Sequence, residues 1–431
     1  MASLRYKSRY LLASSDGRIV EEGCVVVDGG RLAYVGTFAG SKEFGPFEDT
    51  VDLGEAIILP GFVNAHCHSA MSILRGVGNG LSLDDWLRKK IWPLEEHIGE
   101  DAMVFGNLLS MIEYARSGVT SFIDFYNVRP LLKALSKIKM RCTLSLAFID
   151  HVPAMKEESW KRLGQVGQYA REVEEPAGLR SLALAIHSSY ACSEEMLRGV
   201  AEAASTYDLM VTGHLLEAST EVAAIKDSYG VTPVTLLTRT GIIGPRFLAA
   251  HCVHLDRWGI ARLAGAGSSV AHCPRSNSRL GVGVAPVAEM AEGGLNVALG
   301  TDGVGSADSV DFFEEMRTAA YLQRSARRNA TLLPPRELLA MATSNGSSAL
   351  GYSDVGRLKR GYKADFIAVG LDRAHMVPSM DLVGNLVFCA RPDDVRLTVS
   401  GGNVVQRDGE VLAVDEASVA QEVREIAASL G

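Results

Sequence analysis

Six of the ten histidines in this 431-residue chain stand where short apolar runs end: His66, His68, His187, His214, His251 and His272. His66 and His68 are one residue apart, so on an extended strand both imidazoles project from the same face and can grip one metal ion. His214 and Glu217 share the run HLLE, His251 lies in AAHCVH, and Asp302 lies in GTDG. Three neutral imidazoles with one carboxylate suit zinc, or ferrous iron as the alternative. They leave a position for water and lower its pKa towards neutrality. The chemistry implied is hydrolysis. His97, His151 and His375 fall away from the apolar runs and read as ordinary helix or loop residues, and His254 reads as a partner for loop carbonyls.

These residues share a site only if the runs that carry them share a sheet. From about residue 57 onward, short apolar runs alternate with longer amphipathic stretches, as when parallel strands are joined by crossover helices. Eight runs can be counted: ILPGFVNAH, GVTSFIDF, MRCTLSLAF, SLALAIHS, LMVTGHLLE, RFLAAHCVH, SSVAHCPRSN and NVALGTDG, with helices expected over 100–116, 193–206 and 308–325. Eight strand-helix units predict an α/β fold, a TIM (β/α)8 barrel over 57–354, whose active site lies at the carboxyl ends of the strands. Residues 1–56 differ, with β-branched runs broken by DG and GG turns, and the chain's end repeats that texture around Gly401-Gly402 and Asp408-Gly409. Residues 1–56 and 355–431 are therefore expected to pair into one small β-sandwich domain beside the barrel.

Composition narrows the partners. Hydrophobic residues make up 47% and charged residues 22% of the chain, and 51 acidic against 43 basic residues give a net charge of −8 without charge runs. That balance argues against nucleic acid or an anionic membrane surface and for a small-molecule substrate. No apolar stretch approaches a membrane span and no secretory signal pattern opens the chain, so a cytoplasmic enzyme is expected. The seven cysteines contain no CxxC pair and read as reduced, buried residues.

The motifs PGFVNAHCH, HLLE, AAHCVH, AHCPRSN and GTDGVGS resemble, in order and spacing, the signatures of the amidohydrolase superfamily. The resemblance extends to its S-adenosylhomocysteine/methylthioadenosine deaminase-like branch and covers the whole barrel and the split β-domain. It implies that His66, His68, His214 and Asp302 bind zinc, with Glu217, His251 and Asp302 catalytic. Hydroxide generated at the metal would attack the amino-bearing ring carbon while Asp302 takes its proton. Glu217 would protonate the adjacent ring nitrogen, His251 would orient the hydroxide, and ammonia would leave. No lysine ends the fourth strand, where His187 stands, so one metal ion is expected rather than a lysine-bridged pair. A homo-oligomer is expected by family analogy.

The same resemblance places substrate contacts. DDWLRKKIWPLEE is similar to the pocket-lining segment of adenosine-analogue deaminases, with Trp86 walling the ring's pocket and Glu95 holding ribose hydroxyls; His187 and Ser306 match further contact positions. A carboxylate that accepts two vicinal hydroxyls discriminates against analogues lacking them, which favours a purine nucleoside over a free base. The chain departs from the S-adenosylhomocysteine pattern after strand three, where Leu146 stands at an expected arginine. That leaves adenosine, methylthioadenosine, 5′-deoxyadenosine or an aminofutalosine-type nucleoside, the last with Lys156 or Arg162 as partner. The alternatives are a guanine or pterin deaminase, a triazine-type chlorohydrolase and, weakest because every ligand is present, a noncatalytic scaffold.

Overall fold

The computed structural model describes residues 3–175 and 177–430. Two sheets organise it. One is parallel and takes strands almost in chain order: β6 (Phe62–His68), β7 (Val119–Tyr126), β8 (Arg141–Phe148), β9 (Arg180–Ser188), β10 (Met210–Leu215), β11 (Phe247–His251), β12 (Ser269–His272) and β13 (Asn296–Leu299). A two-residue strand β14 (Asp302–Gly303) pairs back onto β6, with Asp302 opposite Cys67 and Gly303 opposite His68. The sheet is thus curled, TIM-like, and its strands read as near-continuous buried runs because helices cover one side and a packed interior the other.

The turn back to β6 depends on a glycine. A Cβ on Gly300 would stand 2.8 Å from His66 Cβ and 2.9 Å from its backbone nitrogen, so no larger residue lets the chain pass there. Beside it, Thr301 N–H donates to Asn64 Oδ1 at 3.0 Å while Asn64 Nδ2 donates to Thr301 Oγ1 at 2.8 Å. The eighth apolar run is therefore split between β13 and β14, and its end lies against the HxH strand.

The three expected helices form over Glu100–Arg116, Glu194–Tyr207 and Phe312–Arg327. Their starts follow from capping chemistry. Ser193 Oγ accepts Met196 N–H at 3.1 Å and Asp311 Oδ1 accepts Glu314 N–H at 2.9 Å, satisfying N–H groups that a first turn leaves free. Glu100 and Asp101 oppose the positive end of the first of these helices.

Strands from both chain ends build the second sheet, also of nine: β1 (Ser3–Leu12), β2 (Ile19–Asp28), β3 (Arg31–Thr37), β4 (Phe47–Asp52) and β5 (Ala56–Pro60), then β15 (Phe366–Gly370), β16 (Val395–Ser400), β17 (Asn403–Arg407) and β18 (Glu410–Val411). The expected first barrel strand, ILPGFVNAH, is in fact two strands. Ile57 and Ile58 pair with Tyr10 and Leu11 of β1, and β15 pairs along β5 from Ala56 to Pro60, so residues 57–60 belong to this second sheet. The break falls at Gly61, where a Cβ would collide with the Thr120 side chain at 2.2 Å. The C-terminal segment also holds a helix that strand texture did not anticipate, Glu416–Ser429, which buries Val419 and Val423 and packs on helix Glu100–Arg116, with Arg116 Nη1 donating to Glu416 Oε1 at 2.6 Å. Among the described residues no helix is long and apolar enough to cross a membrane.

One buried ion pair ties the sheets together. Arg141 at the start of β8 donates to both oxygens of Asp365, from Nε at 3.2 Å and Nη2 at 2.9 Å, with side chains 3% and 1% exposed. Two-pronged geometry offsets the cost of desolvating both charges, whereas removing one partner strands the other. Asp365→Ala is expected to destabilise the protein by about 3–5 kcal/mol in denaturant titration.

Candidate metal centre and pocket

Four donor side chains meet at the carboxyl edge of the parallel sheet: His66 and His68 from β6, His214 from β10 and Asp302 from β14. One donor atom from each lies within 4.8 Å of the others, and Glu217, His251 and Asp302 form a second overlapping group at the same spacing. The two histidines of β6 reach Asp302 Oδ1 from Nε2, at 3.5 Å for His66 and 3.3 Å for His68. His68 Nε2 and His214 Nε2 stand 3.2 Å apart. His66 Nε2 is buried without a hydrogen-bond partner. Buried imidazole nitrogens converging on one carboxylate oxygen, one of them otherwise orphaned, are the donor set of a divalent metal.

The surroundings aim His214, Asp302 and His251. His214 Nδ1 donates to the His187 carbonyl at 2.6 Å, which leaves Nε2 facing the cluster. Ser276 Oγ and Ser306 Oγ both donate to Asp302 Oδ2, at 2.5 and 2.8 Å, so the other oxygen is free for the imidazoles. His251 Nδ1 pairs with Asn277 Oδ1 at 2.9 Å and turns its Nε2 inwards. Asp302 (φ 60°), His251 (φ 68°), Cys252 (φ 52°) and Leu216 (φ 53°) all adopt left-handed backbone conformations, strain of the kind that the surrounding fold must enforce at a working site.

Electrostatics favour the ligating forms of His66, His214 and Asp302. Burial drives His66 down to about 4 and His187 to about 4, and puts His214 well below the ordinary histidine range. Burial alone would raise Asp302, but its contacts to His66 and His68 outweigh that and hold it well below the usual carboxylate range. His68 runs the other way: burial lowers it, but the Asp302 contact prevails and leaves it raised. Neutral imidazoles around an ionised carboxylate are what metal binding requires. Glu217 is raised by burial, partly countered by His251, and Glu95 is raised by burial, partly countered by the Tyr126 hydroxyl.

A cavity of about 300 Å³ opens over the cluster, large enough for a small organic substrate. Trp86, Glu95, His187, Glu217, His251 and Ser306 all line it, so these catalytic and substrate-contact candidates reach one space. The Trp86 indole nitrogen donates to the Val77 carbonyl at 3.0 Å, leaving the ring itself as the surface presented. Arg162 also lines the cavity, paired with Glu158, whereas Lys156 does not. His272 is 1% exposed, both its ring nitrogens lack partners, and it is not among the lining residues. Sequence reasoning missed Ser276 and Asn277, whose only signal was their place in AHCPRSN, and Tyr126, which faces Glu95.

A TIM-like sheet with convergent imidazole and carboxylate donors at its carboxyl edge defines a metal-site hydrolase scaffold. The chain belongs to the amidohydrolase family, whose sequence profile matches residues 57–405. It is 37% identical to a 5′-deoxyadenosine deaminase of Methanosarcina mazei, covering 100% of this chain and 99% of that protein. It is also 37% identical to a 5-methylthioadenosine/S-adenosylhomocysteine deaminase of Moorella thermoacetica, over 94% of this chain and 95% of the other. The crystal structure of an adenosine deaminase from Xanthomonas campestris with bound zinc superposes with a TM-score of 0.95 at 29% identity, covering 99% of this chain and 98% of that one.

Because only the folded state assembles the four donors, metal should stabilise the fold. At a hundredfold excess over the dissociation constant the gain is on the order of 3 kcal/mol. Chelation is expected to lower the thermal midpoint, readdition of Zn²⁺ to restore it, and His214→Ala to abolish both responses in calorimetry.

Proposed function

We propose that the chain is a zinc-dependent aminohydrolase that deaminates adenosine-type nucleosides, with His66, His68, His214 and Asp302 holding one zinc ion. The carrying observation is Glu217: a carboxyl group raised by burial, beside Asp302 and His251, at the floor of a cavity that also holds Glu95. The activities named for the full-length relatives, and the zinc in the Xanthomonas campestris enzyme, point the same way.

When bound, zinc supplies Lewis-acid activation of a water molecule. The chain's own groups do the rest. Glu217, its carboxyl raised by burial, gives a proton to the ring nitrogen next to the amino-bearing carbon. Asp302 receives the proton shed by the water and returns it to departing ammonia, and the carbon's new hydroxyl gives its proton back to Glu217 as the ring carbonyl forms. His251, its Nδ1 committed to Asn277, orients the water through Nε2. Glu95 accepts the two ribose hydroxyls, and the Trp86 ring walls the base. His187 offers its imidazole to the purine, since its carbonyl is committed to His214. Ser306 donates its only proton to Asp302 or the Gly303 carbonyl, so towards a substrate it presents acceptor lone pairs.

The architecture behind this reading is a closed (β/α)8 barrel in which β13 and β14 are two halves of the eighth strand. The chain-end strands make a small β-sandwich domain of 1–56 and 355–431, extended through residue 60. Support for the sandwich comes from one buried cluster that joins Tyr6 and Val25 of the amino-terminal strands to Phe366, Leu397 and Val399 of the carboxyl-terminal ones, with the Tyr6 and Phe366 ring centroids 5.2 Å apart.

Purified zinc-loaded protein is expected to release ammonia from adenosine, 5′-deoxyadenosine and methylthioadenosine, and Glu217→Gln to cut kcat by roughly 10²–10⁴-fold, the range for a lost general acid. Turnover of guanine or a chlorotriazine alone would sink the nucleoside assignment. Glu95→Ala is expected to raise KM for nucleosides by about tenfold or more, as loss of hydrogen bonds to a charged group does.

A further inference from the structure

We infer that Glu221, a buried carboxylate with no part in the chemistry proposed above, is a positioning residue: by bonding the Leu216 amide and the Ser189 hydroxyl it locks the loop that presents Glu217 to the loop that presents His187. The inference rests on the reading of Glu217 as proton donor.

Glu221 lies in the first turn of helix Ser219–Tyr229 and is only 3% exposed. Its two oxygens serve different loops. Oε2 accepts Leu216 N–H at 2.7 Å, immediately before Glu217, and Oε1 accepts the Ser189 hydroxyl at 2.5 Å, two residues after His187. Among the described residues no lysine or arginine pairs with it, and burial pushes its carboxyl up to about 7. A desolvated acid without a countercharge is costly to keep, so these two bonds have to be made.

Leu216 is where the support is needed. It is a non-glycine residue at φ 53°, a conformation that disfavours a leucine and persists only when neighbouring structure enforces it. Its carbonyl accepts His254 N–H at 2.9 Å and the Leu215 carbonyl accepts Cys252 N–H at 3.0 Å. The same corner therefore abuts the end of β11, where His251 and Cys252 are themselves left-handed. With its amide held by Glu221 and its carbonyl by His254, Leu216 has one orientation, and Glu217 leaves it in one direction, into the cavity. Without the carboxylate the Leu216 amide is a buried donor with no acceptor, and the corner relaxes.

Reach, not charge, is what this role requires, and that separates it from a generic structural acid. Glu221→Asp keeps the charge but is one methylene too short to span both loops. Glu221→Gln loses the charge but keeps an oxygen for the Leu216 amide at the same distance, while its amide group meets the Ser189 oxygen. Zinc-loaded wild type and both variants would be compared in nucleoside deamination and in hydrogen exchange of the peptide containing Leu216. The expected result is kcat reduced about tenfold or more and exchange of the Leu216 region accelerated to a similar degree in Glu221→Asp, the size expected for one lost charge-assisted bond. KM and zinc content should change little, and Glu221→Gln should recover both properties to within about threefold of wild type. Unchanged exchange and kcat in Glu221→Asp, or Glu221→Gln as impaired as Glu221→Asp, overturns the proposal. If wild type releases no ammonia from nucleosides, the functional reading fails on its own and the exchange measurement still decides whether Glu221 holds this corner.

Discussion

The meeting of Asp302 with the HxH pair of β6 is the constraint on which the rest of the structure depends. Aspartate and histidines are more than 230 positions apart in the chain. They touch because β14 pairs in register with the end of β6. That pairing requires the chain to pass over the His66 backbone at Gly300 and to be pinned by the Asn64–Thr301 bonds. Gathering these groups out of water is unfavourable: burial drives His66 and His214 towards the neutral form, His68 is held the other way only by its contact with Asp302, and the carboxylate loses hydration. A metal ion is the natural compensation, because it takes the lone pairs that burial leaves without partners.

Around that centre the polar groups are arranged so that Asp302, His214 and His251 each have one free side. One oxygen of Asp302 is used up by two serine hydroxyls, one nitrogen of His214 by a carbonyl, and one nitrogen of His251 by an asparagine. Such fixed outer contacts set ring orientation and tautomer before any ligand arrives, which lowers the reorganisation required at the moment of reaction. The left-handed residues at Leu216, His251 and Asp302 belong to the same arrangement. They turn side chains off the strand ends into a common cavity, and the packing of the sheet holds them there.

The second sheet serves the first at a distance. Its strand β5 runs directly into β6 with only Gly61 between, and Arg141–Asp365 clamps β15 to the start of β8. The strand that carries the two histidines is thus anchored at its amino end by one sheet and used at its carboxyl end by the other.

The sequence by itself determined the chemical kinds present and their order: an HxH at the end of one apolar run, HLLE, AAHCVH and GTDG at the ends of later ones, and helices over 100–116, 193–206 and 308–325. Those are local facts, readable because side-chain alternation, capping residues and apolar periodicity act over a few positions. It did not reveal that ILPGFVNAH breaks at Gly61 and feeds two sheets, since an apolar run looks the same whichever strands it pairs with. Nor did it single out Ser276, Asn277 or Glu221, because a serine, an asparagine and a helix-start glutamate are common caps and surface groups. Only the tertiary structure decided that their partners are Asp302, His251 and the Leu216 amide. Hydrogen bonds between residues distant in the chain are chosen by the closure of the sheet, and no local pattern records that choice.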